Sequence, residues 1–148
     1  MSDPSVTSPA ARAHPGDALP PLEIPLTTGL IVATALASRD FQPVHHDAEV
    51  ARARGSPDIF MNIVTTQGLV CRFVTDWAGP AVQVRRNAIR LGVPNHPGDR
   101  MVLTGTVAAR RPGADGCELD VVVAGRNRLG DHVTGMVTLF VPAVLGIV

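Results

Sequence analysis

The apolar positions of this chain change period once. Between residues 59 and 77, Ile59, Phe60, Ile63, Val64, Gln67, Val70, Cys71, Val74 and Trp77 recur at spacings of three and four, which predicts one buried face of a long amphipathic helix. Two caps compete for its start. Ser56 with Pro57 and Asp58 would open it early, whereas Asn62 would begin it at Ile63. After Trp77-Ala78-Gly79-Pro80 the period falls to two, predicting strands over 82–91, 101–109, 117–123 and 133–141. Gly, Pro, Asn and Asp clusters separate them, with 111–116 and 129–131 as hairpin connections.

The first half of the chain is less regular. Residues 1–18 are rich in Ser, Pro, Ala and Asp and read as a flexible lead-in. Residues 30–38 form an apolar, β-leaning run read as a strand, with a helix as the alternative on alanine content. Residues 47–54 read as a short helix, acidic at its start and basic at its end, which suits the helix dipole, with Gly55 as its stop. The expectation is one α+β domain over residues 19–148, a long central helix wrapped by an antiparallel sheet.

Composition narrows the function. At 148 residues the chain accommodates one full core. Its formal charge is zero and no basic block stands out, which argues against nucleic acid and membrane surfaces as partners. All thirteen basic residues are arginine, so lysine Schiff bases and lysine-dependent nucleotide loops are excluded. Arginine suits bidentate phosphate contacts, and Arg85, Arg86 and Arg90 are candidates for them. Cys71 and Cys117 lack the spacing of a zinc site or a disulfide framework, and no metal is expected. His14, His96 and His132 fall in the lead-in, in turns or at strand starts, where solvated roles are expected. The opening residues lack a secretory signal and the longest apolar run is too short and proline-broken to span a bilayer, so a soluble, cytoplasmic protein is expected.

The candidate chemistry is concentrated in Arg39-Asp40-Phe41-Gln42-Pro43-Val44-His45-His46-Asp47. A carboxylate and an imidazole leave the same turn on either side of a proline. Pro43 fixes its own φ and drives Gln42 towards an extended conformation, so the two proton-handling groups sit on a stiffened loop. On spacing alone, a capping Asp and a surface His are the better reading of such a loop than acid/base chemistry. His46 and Asp47 point away from one another as neighbours in sequence and have no third ligand at useful spacing.

The run Asp40-x-Gln42-Pro43-Val44-His45, with Ala51 following, resembles the signature of MaoC-like (R)-specific enoyl-CoA hydratases, Gly-Asp-x-Asn-Pro-aliphatic-His and then a small residue. Arg39 stands where that family has Gly, and Gln42 where it has Asn. The stretches SRDFQPVHHD, GSPDIFMNI, VTDWAGP, IRLGVP and GRNRLGDHVTG are similar to the small MaoC-like subunits of bacterial steroid side-chain enoyl-CoA hydratases. This resemblance runs from about residue 19 onward and implies the hot-dog fold, which the order of elements supports independently.

The resemblance further implies hydration of a 2-enoyl-CoA, with Asp40 and His45 as the catalytic pair. Met61-Asn62 occupies the place of the family's His-Gly pair, so the N–H groups around Asn62 and Ile63 become the candidate donors to the thioester oxygen. The implied substrate is a steroid acyl-CoA, with coenzyme A a part of the substrate and no separate cofactor. The implied partner is a larger MaoC-domain subunit, giving a heterodimer and then a heterotetramer. Two alternatives stay open: a hot-dog acyl-CoA thioesterase, and a structural subunit in which Asp40 and His45 only brace the loop.

Overall fold

The computed structural model describes residues 8–143. Five antiparallel strands form one sheet, in the order β1-β3-β4-β5-β2. They are β1 (Ala18–Pro25), β2 (Gln83–Leu91), β3 (Arg100–Gly113), β4 (Gly116–Asn127) and β5 (Gly130–Pro142). Three helices, α1 (Thr28–Ala37), α2 (Ala48–Ala53) and α3 (Ile63–Ala78), lie between β1 and β2 in sequence. The inner face of the sheet buries Leu103, Val107, Leu119, Val121, Val123, Val137 and Leu139, and α3 supplies Val70, Phe73 and Val74 to the same core. This is the expected hot-dog arrangement, a long helix wrapped by a sheet.

The four strands expected after the central helix are all present; β3, β4 and β5 run past their alternating stretches, and β2 begins one residue later than expected. A glycine governs how closely helix and sheet approach. A Cβ on Gly105 of β3 would sit 2.9 Å from Cε1 of Phe73. Side-chain volume at that position is given up so that the Phe73 ring can lie against the sheet.

The first half departs from expectation in three places. The run 30–38 is a helix, not a strand: Thr27 caps it by accepting the Leu30 N–H, and alanine and leucine favour the helical backbone. Only Ile31 and Ala35 are fully buried, and apolar residues lie on every side, so no period marks it as a helix. The fifth strand comes instead from Ala18–Pro25, where Pro20 and Pro21 are tolerated because β1 pairs on one side only, with β3, through a register shift between Leu19 and Leu22.

Residues 8–18, expected within the flexible lead-in, pack against the domain. A 3-10 turn at Pro9–Arg12 buries Ala10, and Arg110 donates to the carbonyls of Ala10, Ala11 and Ala13. Residues 1–7 of that lead-in lie outside the described residues. Among the described residues, no helix is long and apolar enough to cross a membrane.

Candidate active site

The end of α1 fixes Asp40. The Arg39 N–H donates to the Leu36 carbonyl and the Asp40 N–H reaches back to the Ala35 carbonyl, the paired bonds of a Schellman motif. Such a motif requires one left-handed residue. Arg39 takes it, at φ 57°, and is the only described non-glycine residue with positive φ. The position where the resembling family carries glycine is therefore the position where this backbone turns left-handed.

Gln42 is extended, at φ −59° and ψ 125°, as a residue preceding proline should be. Pro43 then opens a 3-10 turn, Pro43–His45, that brings His45 back towards Asp40. The His45 ring is buried, and its Nε2 lies 3.3 Å from Asp40 Oδ2. Its Nδ1 lies 2.7 Å from the Phe60 carbonyl, and because a carbonyl only accepts, Nδ1 carries the hydrogen. Nε2 of the neutral ring then presents a lone pair towards a carboxylate. Two acceptors do not bond to one another, so Asp40 Oδ2 and His45 Nε2 are arranged to share one donor between them.

Asn62 completes the pair. Its side-chain oxygen accepts the Thr65 N–H, which selects Asn62 over Ser56 as the cap of α3. Both hydrogens of its amide are used elsewhere, one on Ser38 Oγ at 2.9 Å and one on Asp40 Oδ2 at 3.0 Å. The backbone N–H of Gln42 donates to Asp40 Oδ1. The Asn62 bond, more than any other contact, holds the Asp40 carboxyl below the usual carboxylate range, with the Gln42 N–H and His45 adding to it against a smaller opposing effect of burial.

α3 begins at Ile63, so the N–H groups of Ile63 and Val64 belong to the unpaired first turn; no partner for them appears among the described residues. The carbonyls that would extend the helix backwards are occupied by imidazoles, Phe60 by His45 and Ile59 by His96. These elements enclose a cleft of about 320 Å³. Asp40, His45, Phe60, Met61, Asn62 and Ile63 form one wall, and Leu91, Gly92, Val93, Pro94 and His132 the other.

Of the residues singled out from sequence, Asp40, His45, Asn62 and Ile63 line this cleft together. Arg85, Arg86 and Arg90 do not. All three are exposed on the edge strand β2, where the register pairs Arg86 and Arg90 with Thr138 and Thr134, on the face opposite the buried Val133 and Val137. Arg85 stacks over the Phe140 ring, 4.9 Å from its centroid, on that outer side. Alternation along β2 and a register shift at Val84/Arg86 carry these guanidinium groups away from the chemistry.

His132 and His96, expected to be solvated, are buried, at 1% and 5% exposure. Period-two alternation counted from Val133 would turn His132 outward. A register irregularity at Gly125/Arg126, opposite the start of β5, instead turns it under the segment that follows β2.

Comparison with known proteins identifies the family and the fold. The family model described as "MaoC like domain" matches residues 11–126. The chain is 50% identical over 124 residues to the 3-oxo-4,17-pregnadiene-20-carboxyl-CoA hydratase beta subunit of Mycobacterium tuberculosis, covering 84% of this chain and 93% of that protein. It superimposes on a chain of the ChsH1-ChsH2 complex from Mycobacterium tuberculosis with a TM-score of 0.80 and 50% identity, covering 86% of this chain and 97% of that one. The (R)-hydratase of A. caviae involved in PHA biosynthesis shares the fold, with a TM-score of 0.79 at 18% identity over 90% of this chain and 100% of that one.

Proposed function

Because the chain belongs to the MaoC-like domain family, we propose that it is the acid/base subunit of a hydratase that adds water across the 2,3 double bond of an enoyl-CoA thioester. The observation that carries this reading is the meeting of Asp40 and His45, 3.3 Å apart, in a cleft that also holds the start of α3. Hydration needs a water held against C3, two proton movements, and donors for the charge that develops on the thioester oxygen.

Each requirement has a candidate. Asp40, kept ionised by Asn62 and the Gln42 N–H, accepts one hydrogen of the water and orients it. His45 Nε2, free to accept because Nδ1–H is committed to Phe60, takes the other hydrogen as the oxygen bonds to C3. The electrons of the double bond move onto the thioester oxygen, where the Ile63 and Val64 N–H groups receive them. The imidazolium, stabilised by Asp40, returns its proton to C2. One O–H bond breaks, C3–O and C2–H form, and the pair ends as it began. Acid/base help of this kind is worth roughly 10²- to 10⁴-fold.

The substrate in this reading is a steroid side-chain acyl-CoA, supported by 50% identity to a pregnadiene carboxyl-CoA hydratase subunit. A cleft of about 320 Å³ is at the low end for ligand sites, too small for a ring system and a pantetheine arm together. A larger MaoC-domain partner would complete it. Support for that comes from the free edge of β2, from exposed Val84 on that strand, and from exposed Ile63 and Val64 at the start of α3. The reaction belongs in the cytoplasm, with acyl-CoA metabolism.

The test is to coexpress the chain with that partner, supply steroid and straight-chain 2-enoyl-CoA esters, and follow product mass. A gain of one water without release of free CoA thiol is the expected result. Thiol release in place of water addition would make the protein a thioesterase.

A further inference from the structure

One titratable side chain in the cleft has no part in the hydration scheme above. His132 is 1% exposed, and its ring joins the two walls: Nδ1 is 2.7 Å from the Val93 carbonyl, and Nε2 is 2.9 Å from Oγ1 of the fully buried Thr66 in the first turns of α3. The Val93 carbonyl can only accept, so Nδ1 carries the hydrogen and Nε2 accepts from the Thr66 hydroxyl. Burial pushes the His132 pKa below the usual histidine value, which keeps this singly protonated ring in place at neutral pH. With both nitrogens engaged, the ring has no lone pair or proton to offer a substrate.

Resting on the hydratase reading of the same cleft, we propose that His132 is a positioning residue that sets the distance between the cleft walls and thereby selects among acyl groups. The second wall, Leu91 to Pro94, is the segment in which β2 gives way to a loop. Backbone bonds hold the loop to the start of β5, Gly92 N–H to the His132 carbonyl and Val93 N–H to the Asp131 carbonyl, and Met61 N–H to the Asn95 carbonyl ties it farther along; the His132 ring adds the link from Val93 to Thr66 of α3. Removing the Thr66 hydroxyl leaves a buried imidazole nitrogen without its donor, so the ring and the Val93 carbonyl it holds shift together. A small, flat acyl group depends on both walls touching it and loses most when they part. A bulky ring-bearing group loses little.

The test uses saturated thioesters, so that it reads the cleft and not turnover. Dissociation constants for butyryl-CoA and for a cyclohexyl-bearing acyl-CoA are measured with the chain in complex with its coexpressed partner, as wild type, Thr66→Val, Thr66→Ser and His132→Gln. The expected result is a shift of about tenfold or more in the ratio of the two constants towards the bulky ester for Thr66→Val and His132→Gln, with Thr66→Ser close to wild type. A general loss of stability would move both constants by one factor, and that outcome, or no change, overturns the proposal. Nitrogen-15 NMR of the wild-type imidazole gives an independent reading: hydrogen on Nδ1 and a lone pair on Nε2 are expected, and the opposite tautomer or a doubly protonated ring at neutral pH overturns it. Binding of both esters without hydration of any enoyl-CoA would sink the hydratase reading alone. Failure of wild type to bind either ester removes the acyl site and this proposal with it.

Discussion

The Asn62 side chain donates to Asp40 Oδ2 at 3.0 Å while its own oxygen accepts the Thr65 N–H at 2.9 Å, so one amide both starts the central helix and holds the acid of the site. The two roles are separable by substitution. Asn62→Ser keeps an oxygen for the helix cap and loses the donor to Asp40; Asn62→Ala loses both and gives up about 1 kcal/mol of cap stability in addition. In Asn62→Ser the Asp40 pKa should rise from its depressed position towards the ordinary 3.8, read by carbon-13 NMR of the carboxyl.

The pH dependence of stability follows from the same bond. A carboxyl whose pKa is lowered by folding contributes stability that is complete above its unfolded pKa and disappears as the pH falls through its folded pKa. The wild type should therefore exceed Asn62→Ser by its full margin at neutral pH. That margin should shrink once the pH drops below 3.8, as measured by denaturant titration at each pH.

Arg39 predicts a stabilised variant. Its left-handed φ of 57° costs an L-residue roughly 1–2 kcal/mol, and its side chain is exposed. Arg39→Gly should gain about 0.5–1 kcal/mol, with the Schellman bonds to Leu36 and Ala35 intact and hydration unchanged. Thermal or denaturant unfolding checks the first part, turnover the second.

Gly105 predicts the opposite. A methyl there meets the buried Phe73 ring at 2.9 Å, and Val121 and Leu19 at 3.3 Å. Gly105→Ala should lose about 1–3 kcal/mol by overpacking, and a shift of the denaturation midpoint at constant slope is the measurement.

The free edge of β2 makes a prediction about assembly. Val84 is 38% exposed on that strand. Val84→Glu should weaken association with the partner by about tenfold or more in a titration of purified subunits, while the lone chain keeps its stability within about 0.5 kcal/mol.

The sequence makes the local parts of this structure legible. Asp40, Pro43 and His45 lie within one loop, so proline geometry and the turn bring them together without knowledge of the fold. The four later strands advertise themselves by alternation. The helical stripe of α3 is only partly right: Ile63 and Val64 are exposed at 46% and 48%, whereas Thr65 and Thr66 are buried. Hydropathy cannot foresee that the Thr66 hydroxyl is matched by His132, sixty-six residues away. For the same reason hydropathy does not bring Leu91 to Pro94 and His132 together as the second wall of the cleft. α1 hides differently, since a helix apolar on every side has no period to detect.

The central claim is that Asp40 and His45 act together on one water. Its most direct test is the hydration rate of the coexpressed complex carrying Asp40→Asn, a substitution that keeps the side-chain shape and removes the charge. A fall of about a hundredfold or more in kcat, with the complex intact and the thioester still bound, is the predicted result. A complex that hydrates at the wild-type rate without that carboxylate would contradict the account.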